Sequence, residues 1–173
     1  MNTGDIMIIK KATAADLDRC LEIYKNAREY MRQNGNPDQW GTEYPYEHLI
    51  VEDIEIGRLY VVDCDGSVEG VFLMESGPDD TYLEIEGEWL NDEPYYVIHR
   101  IASSGKVKGV VNAAVDFALQ NTKNVRIDTH EKNLTMQKVL EKIGFKHCGT
   151  IYVFAPWEGK SPRMAYHLSA KNQ

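Results

Sequence analysis

The residues best suited to chemistry lie in the second half of the chain. The loop Ser103-Ser104-Gly105-Lys106-Val107-Lys108-Gly109 runs into an apolar, helix-spaced stretch that starts at Val110. A glycine-bearing loop feeding a helix N-terminus presents unpaired backbone N–H groups and the positive end of the helix dipole. Lys106 and Lys108 add charge at the same point, which makes a cradle for a pyrophosphate. No Gly-Lys-Ser/Thr closes the loop, so it is not a Walker loop. Gly-x-Gly-x-x-Gly is absent too, so it is not a dinucleotide fingerprint. An ordinary strand-to-helix turn has the same composition, and the loop alone leaves both readings open.

His99 precedes this loop and alternates with Tyr95, Val97 and Ile101 on one face of a β-rich run from Tyr95 to Ala102. An imidazole titrates near neutrality and suits a general base, although a histidine bonded to a core neighbour has the same pattern. Glu84, with Glu86 and Glu88, offers carboxylates for the same task, or else a solvated acidic face. Gln39-Trp40 and Tyr44-Pro45-Tyr46 group rings able to hold a cation by cation–π contact, or simply to pack. Arg126-Ile127-Asp128-Thr129-His130-Glu131-Lys132-Asn133 is followed by Met136, Leu140 and Ile143-Gly144-Phe145. Asn133 suffices as a helix cap, and His130 reads as an orienting or capping residue.

Positioning these groups requires a regular α/β framework. Ile6 to Lys11 reads as a strand. Thr13 with Asp16 three residues on marks a helix start, and Leu17, Cys20, Leu21, Tyr24, Ala27 and Met31 follow at helical spacing until Gly35. Pro45 opens a weaker helix that Gly57 closes. Leu59–Val62 and Val68–Met74 are strands about an Asp65-Gly66 turn. The acidic stretch Ser76–Pro94 has no clear pattern. Strand, loop and helix then occupy 95–120. Val125–Thr129 is a strand, Asn133 to Gly144 a helix, and Gly149–Phe154 with Arg163–Leu168 a final hairpin around Trp157-Glu158-Gly159-Lys160. The order implies a mixed α/β sheet. No linker or repeat interrupts it, so residues 1–173 read as one domain.

Composition narrows the class of function. The 173 residues carry a net charge of −8, which argues against nucleic acid as the main partner. Residues 1–51, 52–93 and 94–173 carry −2, −13 and +7. The split points to two sites of opposite charge, or to a solvated acidic face. No run approaches the roughly 18 apolar residues of a membrane span, and Met1–Asp5 lacks the pattern of a signal peptide. Cys20, Cys64 and Cys148 are odd in number and far apart. Neither a disulfide framework nor a metal site is expected, and a reducing cytoplasm is the natural setting.

The run from Ile98 to Phe145 resembles the GNAT superfamily of acetyl-CoA-dependent N-acetyltransferases, and the preceding order of elements extends the likeness over nearly the whole chain. The resemblance implies a mixed, centrally splayed β-sheet flanked by helices, the acyl-CoA N-acyltransferase fold. It implies acetyl-CoA as co-substrate, with its pyrophosphate held by Gly105, Lys106, Val107, Lys108, Gly109, Val110 and Val111. Its pantetheine arm would bond backbone groups at Ile101 and Ala102, and Asn133. A backbone N–H between Ile98 and Ile101 would polarise the thioester carbonyl. Three positions depart from the family pattern: Lys106 stands for an Arg or Gln at the start of the loop, Val111 for a small residue at its end, and Leu140 for a tyrosine able to protonate the departing thiolate. The expected reaction is direct attack by an amine on acetyl-CoA. A lysine-like amine costs about 4.6 kcal/mol to neutralise at pH 7, so a base is required: His99, with Glu84 as the alternative. The acceptor is expected to be a small, cationic amine, with no nucleic-acid or membrane partner and with a homodimer left open. A CoA- or ligand-binding GNAT-like module without turnover, and an unrelated α/β binding domain, are the rival readings.

Overall fold

The computed structural model describes residues 6–170. The Met1–Asp5 segment read against a signal peptide, and the far end of the expected domain, lie outside them. Strand β1 (Met7–Lys11) is followed by a capping box, in which Asp16 Oδ2 accepts the Thr13 amide at 2.8 Å. A short 3-10 turn then leads into α1 (Leu17–Gln33), whose Cys20, Ile23 and Tyr24 are buried. Helix α2 (Glu47–Ile56) ends at Gly57 in the left-handed conformation. β2 (Leu59–Cys64) and β3 (Ser67–Ser76) form the expected hairpin.

The unpatterned acidic stretch contains a two-residue strand, β4 (Glu86–Gly87). It is followed by β5 (Tyr96–Ser103), α3 (Val110–Ala118), β6 (Asn124–His130) and α4 (Leu134–Ile143). The chain closes with β7 (Lys146–Ala155) and β8 (Gly159–Ser169). Among the described residues no helix is long and apolar enough to cross a membrane, and no disulfide forms.

All eight strands join one sheet in the order β1-β2-β3-β5-β6-β8-β7-β4. Every pairing is antiparallel except that of β5 with β6, which is parallel and covers only Tyr96 with Val125 and Val97 with Arg126. Beyond these pairs the two central strands part, so the sheet is splayed at its middle as the resemblance implied. Alternation of side chains gives each face its own core. Val62, Phe72, Ile98 and Ile127 pack with α3 and α4, whereas Leu59, Val61, Val71 and Leu73 pack with α1 and α2. The stretch before β5 is pinned by Arg126, whose guanidinium lies 4.2 Å from the Trp89 ring centre and 3.9 Å from that of Tyr95.

β5 is kinked at Arg100. The register with β3 slips between Val71 and Leu73, and Arg100 adopts a φ of 49°. This left-handed conformation costs a non-glycine residue about 1–3 kcal/mol and persists only when its surroundings enforce it. Here three partners do so. Tyr24 Oη donates to the Arg100 carbonyl at 2.7 Å, Arg100 Nε donates to Tyr44 Oη at 2.9 Å, and the guanidinium pairs with Asp53. Asp53 is fully buried and also accepts from Arg58 Nε at 2.8 Å. Removing a buried charge that serves two guanidinium groups costs about 3–5 kcal/mol. Asp53→Asn is therefore expected to lower stability by about that amount in urea unfolding and to loosen the kink, whereas Glu55→Gln, at an exposed position one turn end away, leaves the midpoint unchanged.

Candidate active site

A cavity of about 420 Å³ occupies the gap between β5 and β6. Its floor is built from Ile98–Ile101 of β5 and Ile127–Thr129 of β6. Trp40, Tyr44, Tyr46 and Trp157 wall it. Ile98 and Ile127 turn into the core, so His99 and Asp128 face the opposite side, across the gap from each other. His99 Nε2 donates to Asp79 Oδ2 at 2.7 Å, and its Nδ1 lies 3.6 Å from Asp128 Oδ2. That Asp128 oxygen accepts Tyr82 Oη at 2.7 Å. Asp79 is held further by the Thr81 amide at 2.9 Å and by the Thr81 hydroxyl.

These contacts set the charge states. Burial opposes ionisation of Asp79, but hydrogen bonds from His99 and Thr81 bring its pKa down to about 2. Burial also opposes charging of His99. The Asp79 hydrogen bond and the charges of Asp128 and Asp79 outweigh it, and the imidazole pKa sits above its ordinary 6.5. In the neutral ring the bond to Asp79 keeps the proton on Nε2, which leaves the Nδ1 lone pair on the side of Asp128. This is the tautomer a base needs.

Of the candidates named from sequence, His99 lies in this cavity, with 27% of its side chain exposed. Glu84 does not line it: it is exposed in the turn after Tyr82. Glu86 accepts Tyr152 Oη at 3.0 Å, away from the gap. The acidic block 52–93 is dispersed, and only Asp79 of its fourteen acids reaches the cavity.

The loop after β5 is tied down at its start. Buried Glu69 accepts the Ser104 hydroxyl, takes Ser67 Oγ at 2.7 Å and pairs with Arg19 at 3.3 Å, while its carbonyl accepts the Ser104 amide. Lys106 and Lys108 are exposed. Gly109 caps α3 with φ 88°, a conformation that side chains rarely adopt. Its carbonyl accepts the Ala113 amide at 2.9 Å, so the amides of Val110, Val111 and Asn112 precede the helical ladder. Val110 is buried and Val111 packs against the same core, which leaves backbone rather than side chain at the helix mouth. Ile101 packs with that core and Ala102 with the opposite one.

Asn133 Oδ1 caps α4 by accepting the Met136 amide at 3.0 Å, and its Nδ2 donates to Gln39 Oε1 at 2.9 Å. It therefore ties α4 to the 34–46 loop. Leu140 is fully buried in the core and does not reach the cavity.

The 34–46 loop is strapped to the β7–β8 turn over the cavity. Trp157 Nε1 donates to the Asp38 carbonyl at 2.6 Å, and its ring rests on Gly41, where a Cβ would come within 2.8 Å of it. Lys132 pairs with Asp38 at 2.6 Å and His130 Nε2 with Glu158 at 3.2 Å. Asp38, His130 and Glu158 place possible metal-ligand atoms within 4.8 Å of one another. However, His130 Nδ1 accepts the Lys132 amide at 3.1 Å, which puts the ring proton on Nε2, the atom that would have to coordinate. The cluster is built as a strap of one ion pair, Lys132–Asp38, and one hydrogen bond, from His130 Nε2 to Glu158. The bulge at Arg100, the carboxylates of Asp79 and Asp128, and this strap escaped the sequence reading. None has a spacing signal, since each joins residues far apart in the chain.

No protein-family model and no curated protein matches the sequence. Solved structures do. An acetyltransferase of the GNAT family from Streptococcus agalactiae is 31% identical with a TM-score of 0.80, over 96% of both chains. YncA from Salmonella typhimurium, solved with its cofactor acetyl-CoA, is 13% identical with a TM-score of 0.62, over 96% of this chain and 95% of that one. The ribosomal-protein-S18-alanine N-acetyltransferase of Escherichia coli is 11% identical with a TM-score of 0.60, over 97% and 96%. The last two share the fold.

The Asp79–His99 pair has a pH signature. Asp79, with its lowered pKa, contributes stability above about pH 4 that is lost as pH falls toward about 2. His99, with its raised pKa, contributes below about pH 6.5 and loses that contribution as pH rises through its folded value. The pair is thus expected to stabilise most between about pH 4 and 6.5. In Asp79→Asn the His99 titration followed by NMR should move down, and the stability difference from the parent protein should shrink on either side of that window.

Proposed function

Because this chain belongs to the GNAT family of acetyltransferases, we propose that it moves an acetyl group from acetyl-CoA to a cationic primary amine by direct attack, with His99 as the base. The observation that carries this reading is the parting of β5 and β6 beside the His99 cluster, with β5 running on into the loop that opens α3. The diphosphate would rest on the backbone of 105–111, charge-assisted by Lys106 and Lys108. The pantetheine arm would run along the edge of β5 past Ile101 and Ala102, where β6 no longer pairs. YncA, solved with acetyl-CoA on the same fold, supports acetyl-CoA as the co-substrate.

In the reaction the amine nitrogen attacks the thioester carbonyl and the carbon–sulfur bond breaks. The proton that the ammonium loses before attack goes to His99 Nδ1, and the departing thiolate takes up the proton that the nitrogen sheds on forming the amide, giving free CoA thiol. Backbone N–H groups at the Arg100 kink would face the developing oxyanion. A thiol pKa near 8.5 makes the thiolate a fair leaving group without an acid, which accommodates Leu140. The Asp79 and Asp128 carboxylates favour a cationic acceptor, whether a small amine or the basic end of a peptide. Leu140, with no acid in its place, is also what favours a CoA-binding module without turnover.

Release of free CoA thiol against a panel of amines separates the two, and a protein that binds acetyl-CoA but acetylates nothing would leave only the binding module. In the active enzyme kcat/KM should rise with pH through the raised His99 pKa. His99→Gln should lower it about 10²–10⁴-fold and remove that inflection. Gly109→Glu sets a carboxylate at the helix mouth. It should abolish acetyl-CoA binding in calorimetry while far-ultraviolet circular dichroism stays native.

A further inference from the structure

We infer that the Asp128 carboxylate is the seat of the acceptor's ammonium group and so decides the preference for cationic amines; this rests on the acetyl-transfer reading above. Two carboxylates line the cavity beside His99, and they are not equivalent. Asp79 is committed: one oxygen takes the Thr81 amide and hydroxyl, the other takes His99 Nε2. Asp128 is held on one side alone. Its Oδ2 accepts Tyr82 Oη, whereas its Oδ1 takes no hydrogen bond among the described residues. Only 12% of the side chain is exposed, and that part faces the cavity.

The cations around Asp128 are engaged elsewhere. Arg100 is bound to Asp53 and Tyr44. Arg163, on β8, faces Asp128 with its charge, but its hydrogen bonds go to Ser161, the Pro162 carbonyl and the Gln39 carbonyl at 3.2 Å, with Glu158 at 3.8 Å. A hydrogen-bonded cation on Asp128 Oδ1 must therefore come from the ligand.

Position gives this seat a catalytic consequence. An ammonium on Asp128 lies beside His99 Nδ1, which is 3.6 Å from the other Asp128 oxygen. One N–H bond of the ammonium breaks, its proton joins the Nδ1 lone pair of the neutral ring, and the freed electron pair on nitrogen becomes the nucleophile. Asp128 keeps its charge throughout and stabilises the imidazolium that results. Tyr82, fully buried beneath, orients the carboxylate.

Benzylamine, a cation at pH 7.5, and aniline, neutral at that pH, discriminate the role of Asp128. In Asp128→Asn, kcat/KM for benzylamine should fall roughly 30-fold or more, the range for breaking a desolvated charge pair. Aniline should lose at least about tenfold less than benzylamine, since for it only the support of the imidazolium is removed, and the affinity for acetyl-CoA should change less than about threefold. Equal losses for both amines, or none for benzylamine, would overturn the assignment. Calorimetry with the unmodified protein gives a readout that needs neither turnover nor a folded variant. N,N-dimethylbenzylammonium should bind at least about tenfold more tightly than its neutral isostere isobutylbenzene, and equal binding overturns the inference. A protein that binds the ammonium selectively but acetylates neither amine would retain the Asp128 seat and reject acetyl transfer.

Discussion

Two central parallel strands that pair over two residues each and then separate are the constraint on which the site depends. Backbone N–H and C=O groups inside a sheet are obligatory hydrogen-bonding groups, so a gap in the middle of one is a place for a ligand backbone to complete the ladder. Where β5 and β6 diverge, alternation sends Ile98 and Ile127 into one core and leaves His99 and Asp128 facing each other on the other side. The kink at Arg100 lies at the same level. It survives because Tyr24 of α1, Tyr44 of the overlying loop and buried Asp53 of α2 hold both its backbone and its side chain. The packing of α1 and α2 thus shapes the β5 edge along which a thioester would lie.

Electrostatics in this protein is a matter of a few desolvated groups rather than of net charge. The central block of fourteen acids looks like a field source in one dimension. In three dimensions Asp53 is spent on two arginines, Glu69 on the root of the loop after β5, and Asp79 on a histidine, while Glu84, Glu86 and Glu88 face water. Surface carboxylates are screened within about 8–10 Å, so Asp79 and Asp128, which line the cavity, dominate the field inside it.

The cover of the cavity follows a similar economy of means. Trp157 on a hairpin turn reaches across to Asp38 and Gly41, and Lys132–Asp38 and His130–Glu158 join the same seam. The exposed Lys132–Asp38 pair contributes little, about 0–1 kcal/mol, whereas the His130–Glu158 hydrogen bond is buried on the histidine side. The Trp157 ring packed on Gly41 joins the two loops, and the polar contacts orient it.

The chain's own order of residues determined the element types, most of their bounds, and the loop that caps α3. Those features are local: helical and strand periodicities, a capping box, glycines at the ends of Glu47–Ile56 and Leu134–Ile143. The family likeness, carried by Ile98–Phe145, was legible for the same reason, and so was His99 as a titrating group on one strand face. The strand Glu86–Gly87 was not, because two residues carry no periodicity and exist as a strand only through pairing with Gly149 and Thr150. Nor were the partners of His99. Asp79 lies 20 residues before it and Asp128 is brought beside it by β6, a neighbourhood created by sheet order, which residue spacing does not encode. Asn133 and Leu140 show the same division. Their places on α4 follow from sequence, but only packing decided that Asn133 would reach Gln39 and Leu140 would be sealed in the core.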